Sequence, residues 1–395
     1  MNKETIPEGW KKIKLKEVLT EISERNKGEK VSRVLSVTNS QGFVNQEDYF
    51  EGIVHSENIS NYKIIRKNQF AYNPSRVNVG SIDILKEYDE GALSPMYVIF
   101  ETDNNRLLPE YFKYYFQTHR FFENVKNNTQ GSVRNSLSFK ALADFDYLLP
   151  PIEEQAKIIK IIENIENIIN LDNEKINFIE KNRIKILNNF FEEKQNFNVC
   201  KLEDISIIKG RVGWKGYTKA DLRKNGPLVL GAGQINDYDE IDLRTPVYIS
   251  REKFEESPEI KIKIGDIILS QRGSLGKIGI IDKDIGEATI NPSMVLIKDS
   301  TINSKYLYYY LCSYNIKSYI KKISSSTSIQ MISQQQIGGF EILIPKDKSN
   351  VEIFVKTMER FVKYRNLIGK ELENYKDMKK ALMQKLLTGK VRVKI

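Results

Sequence analysis

Side chains that can bond a base edge in two places recur in this chain within stretches rich in glycine and hydroxyl residues. Arginine offers a planar fork that fits guanine, and Asn or Gln an amide that fits adenine. In the first half these are Arg76 and Asn78 within residues 73–80, and Gln130, Ser132, Arg134 and Asn135 within residues 127–138. In the second half they are Arg211, Gln234, Arg272 and Gln330, with Lys215, Ser274, Lys277, Ser325, Thr327 and Ser328 suited to phosphate oxygens. Any one of them reads equally well as a solvated loop side chain, so the case rests on corresponding stretches carrying them in both halves.

Catalytic patterns are missing. Residues 231–236 (GAGQIN) open like a dinucleotide fingerprint but lack its third glycine and its strand-helix-strand frame. Residues 273–277 (GSLGK) are too short for a phosphate-binding loop, and Ile278 stands where a metal-binding hydroxyl is needed. Cys200 and Cys312 are far apart, and His55 and His119 are the only histidines, so neither a zinc cage nor a disulfide framework can be built. The Tyr-rich segments 111–115 and 306–310 have helical spacing beside Phe112, Phe116, Leu307 and Leu311, which points to core rather than base stacking. The spacing therefore predicts a chain that is not an enzyme, with no metal or cofactor of its own.

The elements that must position these loops come in two copies. Short alternating runs, the strand signal, lie at 31–38, 63–72 and 96–101, and again at 260–270, 277–282 and 294–298. An aromatic helix follows in each copy, at 109–122 and 303–321, and then a strand ending in proline at 145–150 and 340–345. Ser94-Pro95-Met96-Tyr97-Val98 aligns with Asn291-Pro292-Ser293-Met294-Val295, and Arg76 and Gly80 with Arg272 and Gly276. The offset drifts between 195 and 197 residues, as a duplication with small loop insertions would leave it.

Each copy runs into an apolar seam at heptad spacing. The first reads Ile158, Ile162, Ile165, Ile169, Asp172, Ile176, Ile179, Arg183, Ile186 and Phe190. The second starts at Val351, Phe354, Met358, Phe361, Arg365, Ile368, Leu372, Tyr375 and Lys379 and continues through Leu382 and Leu386. Alternating steps of three and four keep one stripe of a helix apolar. Such stripes, about five heptads long in each copy, predict two long helices paired as an antiparallel coiled coil, with Asn170–Asn173 a place where the first could break. The fold class is thus α+β: two similar heads of mixed sheet and short helices, at 1–150 and 198–344, alternating with helical spacers at 151–197 and at 345–395 with its tail.

At 395 residues the chain fits two domains plus spacers. No apolar run approaches the ~20 residues that cross a bilayer, and the first ten residues are polar, so no membrane partner and a cytoplasmic location are expected. The net charge of +9 invites a polyanion, but its distribution matters more: 0 over 1–150, −2 over 151–197, +3 over 198–344 and +8 over 345–395. The heads are close to neutral, and local clusters must do the work.

Residues 35–39 (LSVTN), 72–76 (YNPSR), 94–98 (SPMYV), 149–155 (LPPIEEQ), 265–273 (GDIILSQRG) and 382–390 (LMQKLLTGK), in this order and spacing, resemble a specificity subunit of a type I restriction-modification system over essentially the whole length. The resemblance implies that the heads are target recognition domains, each reading one half of a split sequence in double-stranded DNA, with the helices as spacer. It implies partners: two methylation subunits docked on the helices, with Glu154, Gln155, Leu382 and Leu386 as docking residues, and restriction subunits joining them. S-adenosylmethionine, ATP and Mg2+ would sit on those partners. The second helix lacks the Glu-Gln pair of the first, so the two docking places would not be equivalent. A coiled-coil adaptor without sequence readout is the rival reading, and it leaves the repeated Arg/Gln/Gly stretches unexplained.

Overall fold

The computed structural model describes residues 6–49, 56, 58–129, 136–211, 216–324 and 331–393. It divides into two compact units, residues 1–172 with 371–395, and residues 173–370. This division cuts both long helices instead of following the partition into heads and rods, because each helix end buries its apolar stripe in the core of a head.

In the first unit a four-stranded antiparallel sheet has the order Leu19–Ile22, Val98–Thr102, Phe70–Tyr72, Ile82–Ile84. Lys11–Lys14 pairs with Asp146–Leu149, and two further strand pairs, Leu35–Val37 with Phe43–Asn45 and Lys63–Arg66 with Glu90–Leu93, complete the head. Phe70 and Phe100 stack at 5.2 Å, and Phe112 meets Phe70 edge-on at 5.7 Å, so aromatic residues fill the space between sheet and helices. The second unit repeats the sheet as Ile207–Gly210, Met294–Lys298, Ile267–Ser270, Ile278–Ile280. Beside it lies a three-stranded sheet in which Leu222–Leu230 runs parallel to Ala288–Ile290.

The aromatic helices differ from the sequence reading. Each is two helices: Pro109–Tyr115 and His119–Thr129 in the first head, Ser304–Leu311 and Tyr314–Ser324 in the second. Thr118 makes the first break, donating to the Tyr115 carbonyl at 2.7 Å and accepting from Phe121 N at 3.2 Å. A hydroxyl that can cap a new helix competes with continuation of the old one. Tyr111, Tyr114, Tyr115 and Tyr306–Tyr310 are all buried, as their spacing predicts.

The long helices are Ile152–Phe190 and Ser349–Leu386, and the first runs unbroken through Asn170–Asn173. In the first unit Ile158, Ile159 and Ile162 share one core with Met383 and Leu386, so the start of one helix lies beside the end of the other. In the second unit Leu187 and Phe191 share a core with Phe354, Val355 and Met358, and the Phe190 and Phe354 rings stack at 4.1 Å. The pairing is antiparallel in each unit. Its register departs from the sequence reading most clearly at Ile186, which is exposed while Leu187 is buried in its place.

Charged residues enter the seam of the second unit as a network. Arg365 NH1 donates to Glu180 Oε1 at 2.8 Å, and Arg183 Nε donates to Glu180 Oε2 at 2.8 Å. Arg365 also bonds Glu240 and lies 4.4 Å over the Tyr238 ring, tying a loop of the second head to the helices. No helix among the described residues is long and apolar enough to cross a membrane.

Candidate nucleic-acid interface

In the first head the turn 73–81 closes between two sheet strands, Asn73 N donating to Ser81 O at 3.1 Å. Gly80 leaves this turn at φ 92°, a left-handed conformation that favours glycine. The second head builds the same turn one residue shorter: Ser270 N donates to Lys277 O at 2.9 Å, and Gly276 sits at φ 74°. In both heads a second predicted loop reaches the turn. Leu137 N bonds Pro74 O at 3.0 Å, and Ile332 N bonds Gln271 O at 3.0 Å. Stretches some 60 residues apart in sequence thus meet at one surface, in the same way twice.

Arg76 and Asn78 are exposed on the first turn, and Arg272 and Ser274 on the second. The guanidinium groups of Arg76 and Arg272 have no side-chain partner among the described residues, so both forks are open to solvent. Lys277 is more constrained, with Nζ donating to Ile235 O at 3.0 Å and lying 3.7 Å from Asp237. Gln130, Ser132, Arg134, Asn135, Lys215, Ser325, Thr327, Ser328 and Gln330 lie outside the described residues.

Two residues expected in the interface are core residues instead. Arg211 is 5% exposed and donates to the Ile290 carbonyl at 3.2 Å and to Thr289 Oγ1 at 3.2 Å. Burial, the largest influence on it, pulls its pKa below that of an ordinary guanidinium. Gln234 is 8% exposed and uses both ends of its amide within its own loop, accepting from Gly231 N at 3.1 Å and donating to Thr245 O at 3.1 Å. A donor already satisfied inside the fold has nothing left for a base.

The expected docking residues are also corrected. Glu154 and Gln155 are fully buried. Gln155 accepts from Leu108 N at 2.9 Å and donates to the carbonyls of Arg106 and Pro150 at 2.8 and 2.9 Å. Glu154 accepts from Trp10 Nε1 at 2.9 Å and pairs with Arg392, whose Nε and NH2 lie 2.8 and 2.9 Å from its oxygens. Leu386 is buried in the core of the first head, and Leu382 packs partly buried against it. Glu154 and Gln155 hold the start of the first long helix to the head, because a helix start packed there must satisfy its polar groups inside the chain. Leu382 and Leu386 hold the end of the second by apolar packing.

The sequence reading missed the residues that stiffen these turns. Lys63 is nearly buried and donates from Nζ to Tyr97 O at 2.6 Å, clamping the 94–97 turn beside Asn73. Burial lowers its pKa. In the second head Gln271 Nε2 donates to Pro292 O at 3.1 Å and fastens the equivalent turn. Neither contact has a local signal, since the partners lie 34 and 21 residues away. The charged seam positions Arg183 and Arg365 did carry a signal, an ionic residue where an apolar one is the rule. Among the described residues no group of three or more His, Cys, Asp or Glu is placed to hold a metal ion.

The chain has counterparts among known proteins. Residues 7–181 and 184–374 each match the family model of the type I restriction modification DNA specificity domain. The chain is 25% identical over 417 residues to the type I restriction enzyme MjaVIII specificity subunit of Methanocaldococcus jannaschii, covering 98% of this chain and 94% of that one. A putative MjaX specificity subunit of the same organism is 23% identical over 424 residues, with 98% and 95% covered. The fold is shared with a chain from a structural study of complex assembly and conformational transition in the type I R-M system, at a TM-score of 0.62, 14% identity and 98% and 100% coverage. It is also shared with the type I restriction-modification S subunit of M. genitalium, at a TM-score of 0.55, 14% identity and 98% and 97% coverage. With both halves matched, the chain belongs to the family of type I restriction modification DNA specificity domains, which it carries in two copies.

Proposed function

We propose that this chain is the sequence-reading subunit of a type I restriction-modification complex, each head entering the groove over one half of a split DNA site. The observation that carries this is the meeting, twice, of a turn with a second distant segment, each turn holding an exposed arginine fork. Arg76 and Asn78 serve the first half-site, Arg272 and Ser274 the second, and Lys277 a neighbouring phosphate. In this reading Gln130, Ser132, Arg134, Asn135, Lys215, Ser325, Thr327, Ser328 and Gln330 also contribute to DNA contact. The two heads carry different loop residues, so the site is asymmetric. The paired helices keep the half-sites a set distance apart, leaving the base pairs between them unread.

Chemistry then falls to partners: methylation subunits with S-adenosylmethionine, and restriction subunits with ATP and Mg2+. With Glu154, Gln155 and Leu386 taken up inside the chain, methylation subunits must dock on the outward faces of the helices. The test is methylome sequencing of a host carrying this chain with its methylation subunit. A split motif with one fixed gap is expected; a contiguous motif, or no sequence-dependent methylation, would overturn the reading.

A further inference from the structure

Each head leaves one methionine in solvent beside its turn, and the two come from opposite flanks. Met96 is 60% exposed, with its sulfur 3.9 Å from the Asn73 amide nitrogen at the start of the first turn. In the second head that place belongs to Ser293, because Tyr72 and Leu269 stand opposite Val98 and Val295 in the two sheets. The Ser293 hydroxyl is turned away onto Asn291 Oδ1 at 2.7 Å. Met331, 37% exposed, instead pairs across from Arg272 on the other flank of the second turn. Its counterpart in the first head is Ser136, one residue before Leu137, just as Met331 precedes Ile332. Methionine and serine have traded places between the heads.

A single exposed apolar side chain is ordinary. Here the position is what argues. Both methionines stand on backbone that is held in place: Lys63 clamps the 94–97 turn, and the bonds of Gln271 and Ile332 hold the 331 segment to the second turn. A flexible, polarizable thioether on a fixed base suits close contact with a small apolar group. In the major groove the only such group on an unmodified base is the thymine C5 methyl.

Resting on the reading of function above, we propose that Met96 and Met331 each contact the C5 methyl of one thymine, one in each half-site. Because they approach from opposite flanks, the two thymines occupy different places relative to the bases read by Arg76 and Arg272.

The test uses the complex of this chain with its methylation subunit and duplexes of its own motif, in which thymines are replaced one at a time by deoxyuridine. Affinity falls about fourfold, the weight of one methyl group returned to water, at one thymine in each half-site. Met96→Ser abolishes that sensitivity in the first half-site alone, Met331→Ser in the second alone, and Met96→Leu retains it. The proposal is overturned by a half-site without thymine, by indifference to every uracil, or by sensitivity that survives the serine variants. Insertion of the methionines between base steps, seen as unstacking of a fluorescent base without any uracil effect, overturns it too. Wild-type complex that binds no sequence specifically would sink the reading of function itself, and the methionines with it.

Discussion

Arg211 and Arg272 carry the same fork, and their surroundings give them opposite work. Arg272 is exposed on a pinned turn, while Arg211 spends its donors on Thr289 and on the Ile290 carbonyl inside the second unit. Replacing Arg272 by Ala is expected to cost about 1–3 kcal/mol of discrimination at one base pair, with the thermal unfolding midpoint unchanged. Replacing Arg211 by Ala leaves buried acceptors short of a partner and lowers folding stability by about 1–3 kcal/mol. Urea unfolding and methylation assays on both variants separate the roles; an Arg211→Ala protein of full stability that reads the wrong base would contradict its place in the core. The sequence showed the chemistry of both residues and could not show which was already satisfied, since that depends on partners about 80 positions away.

At the scale of elements, the seam was legible because helical periodicity is a local property. Both helices appear where the heptads place them, and Asp172, Arg183 and Arg365 are buried seam residues as their spacing requires. The slip from Ile186 to Leu187 has a geometric cause. A straight helix of 3.6 residues per turn drifts by roughly 20° per heptad against a 3.5 repeat, so after four heptads the contact line moves toward the next residue. Leu187→Ala should then cost about 2–5 kcal/mol, whereas Ile186→Ala should stay within about 0.5 kcal/mol. Equal losses in denaturant unfolding would restore the sequence register. The split of each aromatic helix was less legible, because Thr118 is a tolerable helix residue until its hydroxyl caps the next segment.

At the scale of the whole molecule, the chain's two ends meet in the first unit around one carboxylate. Trp10 near the start and Arg392 near the end both bond Glu154. Burial alone would raise the pKa of Glu154, but the bonds from Arg392 and Trp10 outweigh it and the net shift is downward. A carboxylate depressed on folding adds stability that is fully present above its unfolded pKa of about 4.3 and is lost as pH falls through the lowered value. The wild-type chain should therefore lose stability below about pH 4.3, and Arg392→Met should flatten this acid limb while lowering stability near neutrality. An identical acid limb in both proteins, followed by thermal unfolding across pH, would remove Glu154 from this role.

Sequence alone determined the duplication, some of the strands, the long helices, the antiparallel rods and the family resemblance, because periodicity, turn residues and repeated strings are written in neighbouring positions. Strands such as Leu19–Ile22 and Leu222–Leu230 only the fold revealed. Only the tertiary structure decided which polar residues remain available. It took Arg211, Gln234, Glu154 and Gln155 into the interior and left Arg76, Asn78, Arg272 and Ser274 on two turns. The reason is that a hydrogen bond can be made once: whether a donor faces a base or a backbone carbonyl is settled by segments that meet only when the chain has folded.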